Sequence, residues 1–241
     1  MAFATIGTAG IQAQSIDLST KVTGTLPVPN GGIGIASGTT DQFLKFTGTE
    51  TLASATDNAG DLVKLGTVST DNSNVSALTI DNCFSSTYDL YRIVGFHNVT
   101  SGGAHNYFRW RTGGASGSSY TTGDYQWINR GYFISASQPS GAYFNGNYTA
   151  DHGRVGSDIR SDGDAAYVTF DLLVSDPNTN VMGRGQITGV SCVRQNTDQR
   201  WVSHHVGITN GANVNATGFQ MTVSTGNISY GRVSVYGMKQ A

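Results

Sequence analysis

Charged residues are scarce in this chain of 241 residues, and this scarcity limits what its surface can bind. Asp, Glu, Lys and Arg together make up 12% of the sequence, and the formal net charge at pH 7 is −2. The basic residues form no concentrated run, so the sequence does not predict binding to nucleic acid. Neutral Gly, Ser, Thr and Asn side chains must therefore cover most of the surface.

Two strong helix formers, glutamate and lysine, are almost missing. Glu50 is the only glutamate, and Lys21, Lys45, Lys64 and Lys239 are the only lysines. Thr, Val, Tyr, Phe and Ile, which favour strands, are plentiful. Aromatic residues reach 10% of the sequence, which together with the small net charge argues against a disordered chain. The composition predicts an all-β protein with a buried core.

Long apolar runs are also missing, and cysteines are few. No stretch approaches the roughly 18 consecutive apolar residues of a membrane helix, and no signal peptide is expected at the N-terminus. Cys83 and Cys192 are the only cysteines. Two unlinked, buried thiols are the simpler reading, although a bridge stays open because pairing depends on close Cα atoms. His204 and His205 are adjacent and would face opposite sides of a strand, so they cannot share a metal within one chain. In a trimer one of them could meet its symmetry mates on the axis, but a core or interface histidine is the simpler reading. We expect no metal site and no cofactor.

The chain falls into two regions with different patterns, residues 1–75 and residues 76–241. The first has short apolar pieces separated by Gly, Thr and Ser, and is expected to be an extended segment without a core of its own. The second alternates strand-forming runs with turn residues, which predicts a jelly-roll-like β-sandwich, and residues 137–164 are expected to form its longest loop. The strand candidates are Tyr88–Val99, Tyr107–Thr112, Tyr125–Ile134, Tyr167–Val174, Gly185–Val193, Trp201–Ile208, Phe219–Ser224 and Arg232–Met238.

A run in the first region resembles a segment frequent in bacteriophage tail fibre proteins. Residues 21–32 read KVTGTLPVPNGG, and residues 42–48 read QFLKFTG, which is similar to the segment that often follows. Ile33 stands where threonine is usual in that pattern. The ends of the second region, FSSTYDLYRIV at residues 84–94 and GRVSVYG at residues 231–237, are similar to fibre and decoration modules of marine or cyanobacterial phages.

The resemblance implies a subunit of a virion appendage, assembled in the host cytoplasm as a homotrimer. Its N-terminal region would dock on tail or capsid proteins, and its C-terminal β domain would bind a glycan or protein of the host surface. One alternative is a capsid decoration or adaptor protein without a ligand. The expected attachment residues are Ile11, Ile16, Leu18, Val22, Leu26, Pro27 and Pro29.

Aromatic side chains close to the predicted loop suggest sugar binding. A flat ring offers an apolar face to a sugar, and neighbouring polar groups can pair with its hydroxyls. Core packing and subunit contacts are the competing roles for such residues. The candidate ligand-binding residues are Tyr120, Tyr125, Trp127, Arg130, Tyr143 and Tyr148.

Aspartates in residues 151–164 raise an enzyme hypothesis, a polysaccharide depolymerase. Glycoside hydrolysis needs one carboxyl group as acid and another as base or nucleophile. Turns favour aspartate for local hydrogen bonds, and the spacing does not match an EF-hand calcium loop. We therefore expect no catalytic residues and a protein that is not an enzyme. The aspartates concerned are Asp151, Asp158, Asp162 and Asp164.

Overall fold

A computed structural model describes residues 42–48, 52–55, 62–134, 141–159, 167–179, 185–194, 201–210 and 213–238. The chain divides into two compact units, residues 1–60 and residues 61–241. The described residues contain many strands and no α-helix, which confirms the all-β prediction. The expected attachment residues, from Ile11 to Pro29, lie outside the described residues.

A single hairpin is the described part of the first unit. Strand β1 (Phe43–Phe46) pairs antiparallel with β2 (Leu52–Ala55). Phe43, Leu44 and Phe46 are all exposed, with at least half of each side chain accessible. A lone two-stranded hairpin is marginally stable in water, and this one leaves most of its apolar surface unburied.

The second unit is a β-sandwich of two antiparallel sheets. The strands of this unit are β3 (Leu62–Val75), β4 (Ala77–Ile80), β5 (Leu90–Val99), β6 (Ala104–Thr112), β7 (Ser118–Ser119), β8 (Tyr125–Ile134), β9 (Gly141–Ala150), β10 (Gly153–Ile159), β11 (Tyr167–Ser175), β12 (Asn178–Thr179), β13 (Gln186–Arg194), β14 (Trp201–Asn210), β15 (Val214–Asn215), β16 (Gly218–Val223) and β17 (Ile228–Met238). Strands β12 and β15 pair with each other outside both sheets.

The order of the strands is that of a jelly roll with two inserted hairpins. The large sheet runs β3-β17-β5-β11-β13-β14-β8-β9, and the small sheet runs β10-β6-β16-β4 with β7 beside β6. The first four strands of the large sheet and the four main strands of the small sheet follow the double Greek-key order. Hairpins β8–β9 and β13–β14 widen the large sheet, and the sandwich with jelly-roll order confirms the predicted fold class.

Side chains from facing sides of the two sheets form the core. Burial alternates along β11, where Val168 and Leu172 are fully buried whereas Thr169 and Leu173 are exposed. Aromatic rings fill the space near β6 and β16. There, the ring of Phe108 lies edge-on to Trp110 at 4.8 Å and stacks on Phe219 at 5.8 Å.

Residues 62–75 belong to the β domain rather than to the N-terminal region, so the boundary lies near residue 60 instead of 75. Strand β3 pairs with β17 along most of its length and forms one edge of the large sheet. Leu65 and Val68 pack against the core. Sequence analysis missed β3 because most of its residues are polar, as is usual in an edge strand that buries few of its side chains.

Residues 137–164 are not one long loop, so that prediction is wrong. This segment contains β9 and β10, joined by a turn at Asp151 and His152. Its glycine and asparagine residues suggested turns. They lie in strands instead, because β9 pairs with β8 and β10 pairs with β6. Strand propensity depends strongly on such context.

The two cysteines are not linked. Cys83 is buried, Cys192 is half-buried, and both are free. Burial raises the pKa of the Cys83 thiol to about 12. Cys83 is therefore a protonated core residue at neutral pH.

Candidate functional site

The outer face of the large sheet carries several exposed apolar side chains. Along β8 the alternation places Trp127 and Asn129 in the interior and Ile128 and Tyr132 on the outside. The outward positions of the neighbouring strands continue this surface. Large apolar side chains exposed on these strands are Ile128, Tyr132, Phe144, Tyr148, Leu173, Val190 and Tyr230. Scattered apolar side chains are ordinary on a protein surface, and positions such as Arg130, His205 and Asp171 lie between these, so their number alone does not indicate a binding site.

An open cleft lies on this face where β8, β9, β13 and β14 meet. Its volume is about 460 Å³. Tyr148 contributes the most exposed aromatic ring of the cleft, with 75% of the residue accessible. The other outward-facing residues that line it are Gln126, Ile128, Gln186, Thr188, Gly207 and Thr209.

Strand register brings these residues together although they are far apart in the sequence. Gly207 lies opposite Ile128 of β8 and also opposite Thr188 of β13. One step along the strands, Thr209 lies between Gln126 and Gln186 in the same way. Gly207 has no side chain, so the surface dips between Ile128 and Thr188, and the cleft lies above this glycine.

The chemistry of the cleft is neutral and amphipathic. An aromatic ring and an isoleucine supply apolar surface, while two glutamines and two threonines supply amide and hydroxyl groups. No Asp, Glu, Lys, Arg or His is among the lining residues described. A sugar without charge has the matching combination of apolar ring faces and hydroxyl groups.

Of the candidate ligand-binding residues, Tyr148 and Arg130 lie on the open surface. Tyr148 lines the cleft, whereas Arg130 is exposed in the neighbouring row, opposite His205 and Phe144. Trp127 forms part of the cleft floor, but its indole is buried and the guanidinium of Arg154 lies 4.8 Å from the ring centre. Tyr148 is thus the candidate whose ring is free to contact a ligand.

The other candidates are placed differently. Tyr125 is fully buried, and its hydroxyl accepts a hydrogen bond from the backbone N–H of Trp110 at 2.8 Å. Tyr120 is half-buried and donates to the Asp124 carboxylate at 2.8 Å. The side chain of Tyr143 lies outside the described residues. Tyr125 and Tyr120 therefore support the core and a turn, away from the cleft.

Sequence reasoning missed most of the cleft. Gln186, Thr188 and Thr209 belong to β13 and β14, which are separated from Tyr148 by about forty or more positions in the sequence. Alternation along these strands indicates that the residues face outward. Nothing in the sequence indicates that β14 pairs with β8, and this pairing is what assembles the cleft.

A second polar cluster lies at the turn between β9 and β10. Arg109 donates to the Asp151 carboxylate at 2.7 Å, and His152 Nδ1 lies 2.5 Å from the other carboxylate oxygen. The His152 ring stacks on Tyr107 with 3.5 Å between centres. Burial raises the pKa of Asp151, but hydrogen bonds from His152 and Arg109 outweigh that effect and the net shift is downward.

This cluster does not have the features of a glycosidase acid. Such an acid needs a raised pKa so that it stays protonated at neutral pH, whereas the pKa of Asp151 is lowered. The side chains of Asp158, Asp162 and Asp164 lie outside the described residues. In the part of the chain that the structure describes, no group of His, Cys, Asp or Glu residues could hold a metal ion.

None of the described residues belongs to a helix with the length and apolar character of a membrane span. Comparisons with protein-family models, curated proteins and solved structures find nothing that matches this chain.

Proposed function

We propose that this chain is a fibre subunit of a bacterial virus and that its β domain binds a neutral glycan on the host surface. The cleft on the outer face of the large sheet carries the proposal. It combines the exposed Tyr148 ring with uncharged hydrogen-bonding groups, and it is open enough to admit a chain of sugars. Ligand sites commonly pair apolar walls with a few polar groups in this way.

The hairpin β1–β2 supports the second part of the proposal, docking and oligomerisation by the N-terminal region. Phe43 and Phe46 are 61% and 64% exposed, so the hairpin does not bury its own aromatic rings. Burying such surface against another chain is favourable. Copies of the chain in a homotrimer, together with tail or capsid proteins, are the partners that we propose, and the virion is the proposed location.

Replacing Tyr148 with Ala tests the glycan site directly. The purified protein should bind host-surface polysaccharide or one of the neutral oligosaccharides on a glycan array. We expect Tyr148→Ala to weaken the binding roughly tenfold or more, because stacking of a sugar on the ring is lost. Isothermal titration calorimetry gives the two dissociation constants.

Tyr132→Ala is the matched control. Tyr132 lies on the same face and is 59% exposed, but it does not line the cleft. Its loss should leave the affinity unchanged. Equal loss in both variants would contradict the proposed site, and a wild-type protein that binds neither cells nor glycans would favour a decoration protein without a ligand.

A further inference from the structure

Strand β9 forms one end of the large sheet, and its outward edge has no strand partner among the described residues. It has ten residues, Gly141–Ala150, and none of them is charged or a proline. Phe144 and Tyr148 are 72% and 75% exposed, more than any other large hydrophobic residue that the structure describes. An edge strand with these properties presents unpaired backbone groups beside apolar side chains.

The other described sheet edges carry devices that oppose pairing. Strand β3 has Lys64 and Asp71 along its length, and Asn72 has a positive φ of 53° that bends the strand. Strand β4 has only four residues. Strand β10 has two register shifts against β6 and packs on strands of the large sheet. Natural sheets protect their edges with such charges, short strands and bulges; β9 has no charge and is not short, and its one register shift lies near its C-terminal end, between Asn147 and Ala150.

The sequence of β9 is complementary to itself in one antiparallel register. Two β9 strands that cross at Gly146 place Phe144 of each copy opposite Tyr148 of the other. The same register places Asn145 opposite Asn147. Aromatic pairs directly across two antiparallel strands stabilise the pairing.

We propose that two copies of this protein join through their β9 strands, antiparallel and centred on Gly146, so that the two large sheets become one continuous sheet. The contact has two-fold symmetry, in which each copy uses the same surface. The register of β9 against β8 is regular from Gly141 to Asn147, so this part of the strand can accept a neighbour, and the one register shift, between Asn147 and Ala150, lies at Tyr148. A register shifted by one position on each strand would place Phe144 opposite Gly146 and lose both aromatic pairs.

This pairing also bears on the cleft. Because Tyr148 lines the cleft, Phe144 of the second copy would lie at its rim and add a second aromatic ring. The pairing itself does not depend on the proposed glycan binding or on the virion location. It requires only the exposed edge and its side chains.

The mass of the full-length protein in solution tests the proposal. Size-exclusion chromatography with light scattering should give an even number of chains for the wild type. Phe144→Lys should halve that number, because it removes both aromatic pairs and places a charge on the pairing edge of each copy. This result is expected whether the N-terminal regions are separate or form trimers, since two trimers joined by β9 would become single trimers.

Tyr132→Lys is the control, with a lysine at an exposed position one strand further from the edge. It should leave the number of chains unchanged, and circular dichroism should show that both variants are folded. An odd number of chains in the wild type overturns the proposal. So does a Phe144→Lys variant whose mass equals that of the wild type.

Cysteine cross-linking tests the register. In a Cys192→Ser background, the double variant Phe144→Cys/Tyr148→Cys should form a covalent dimer under mild oxidation, since each new thiol meets its counterpart in the other copy. Each single variant places its thiol opposite an aromatic residue and should stay unlinked. Dimers from either single variant, or none from the double variant, exclude the register centred on Gly146.

Discussion

The buried hydroxyl of Tyr125 is held by two specific partners. It accepts a hydrogen bond from the backbone N–H of Trp110 at 2.8 Å and donates one to the backbone carbonyl of Tyr120 at 3.0 Å. Tyr125→Phe removes both bonds and leaves the N–H of Trp110 buried without that partner, which should lower the free energy of unfolding by about 1–3 kcal/mol. Urea unfolding followed by tryptophan fluorescence measures the change.

Tyr148→Phe is the matched substitution on the surface. It removes the same hydroxyl from a residue that is 75% exposed, and should change stability by less than about 0.5 kcal/mol. If the two variants unfold alike, the hydroxyl of Tyr125 does not have the structural role that its contacts indicate.

His97 makes stability depend on pH. It is fully buried, its Nε2 lies 3.0 Å from the Asn106 side-chain oxygen, and burial lowers its pKa from 6.5 to about 4. Because the unfolded chain binds a proton near pH 6.5 and the folded chain only near pH 4, stability is complete above the first value and falls between the two. The loss should reach roughly 3 kcal/mol, at about 1.4 kcal/mol for each pH unit.

His97→Gln provides the comparison for this effect. Glutamine can still hydrogen-bond to Asn106 but does not titrate. Free energies of unfolding measured at several pH values between neutral and about pH 4 should fall less steeply for this variant than for the wild type. Equal slopes would mean that other groups cause the acid sensitivity.

At the scale of strands, the local pattern of the sequence located eight strands but missed β4 and β10, which also bury apolar side chains. The eight strand candidates of the second region correspond to β5, β6, β8, β11, β13, β14, β16 and β17. Their alternation of apolar and polar residues reflects burial on one side, which is a property of the strand itself. Strands β3 and β9 lie at sheet edges and bury fewer side chains, so their sequences resemble those of loops.

The sequence did not predict which strands pair with each other. Each strand pairs through backbone groups that every residue carries, so composition does not identify its neighbour. The cleft depends on β14 lying between β8 and β13. Tyr148 could be predicted as a ligand-binding residue because it is an aromatic residue in a polar stretch. The sequence did not predict that Gln186 and Thr209 lie in the same cleft.

At the scale of the whole molecule, the position of β3 determines where the β domain begins. The strand joins the large sheet through ten paired positions with β17, although its sequence is contiguous with the N-terminal region. A Cβ atom at Gly66 would approach a methyl group of Ile80 to 2.9 Å, which shows how closely β3 packs on the strand of the opposite sheet that follows it. The domain therefore includes residues that composition assigned to the extended segment.

Two truncated proteins distinguish a domain boundary near residue 60 from one near residue 75. A protein lacking residues 1–60 keeps β3 and should unfold cooperatively with a midpoint close to that of the β domain in the full chain. A protein lacking residues 1–75 loses β3, exposes the edge of β17 and uncovers Val233 and Val235, which are fully buried in the intact domain. Its free energy of unfolding should fall by several kcal/mol, since burying each large apolar side chain contributes about 1.5–3 kcal/mol, and the new edge should promote aggregation. Thermal unfolding and light scattering of both proteins measure these effects, and equal stability of the two would show that β3 is an appendage of the sheet rather than part of the domain.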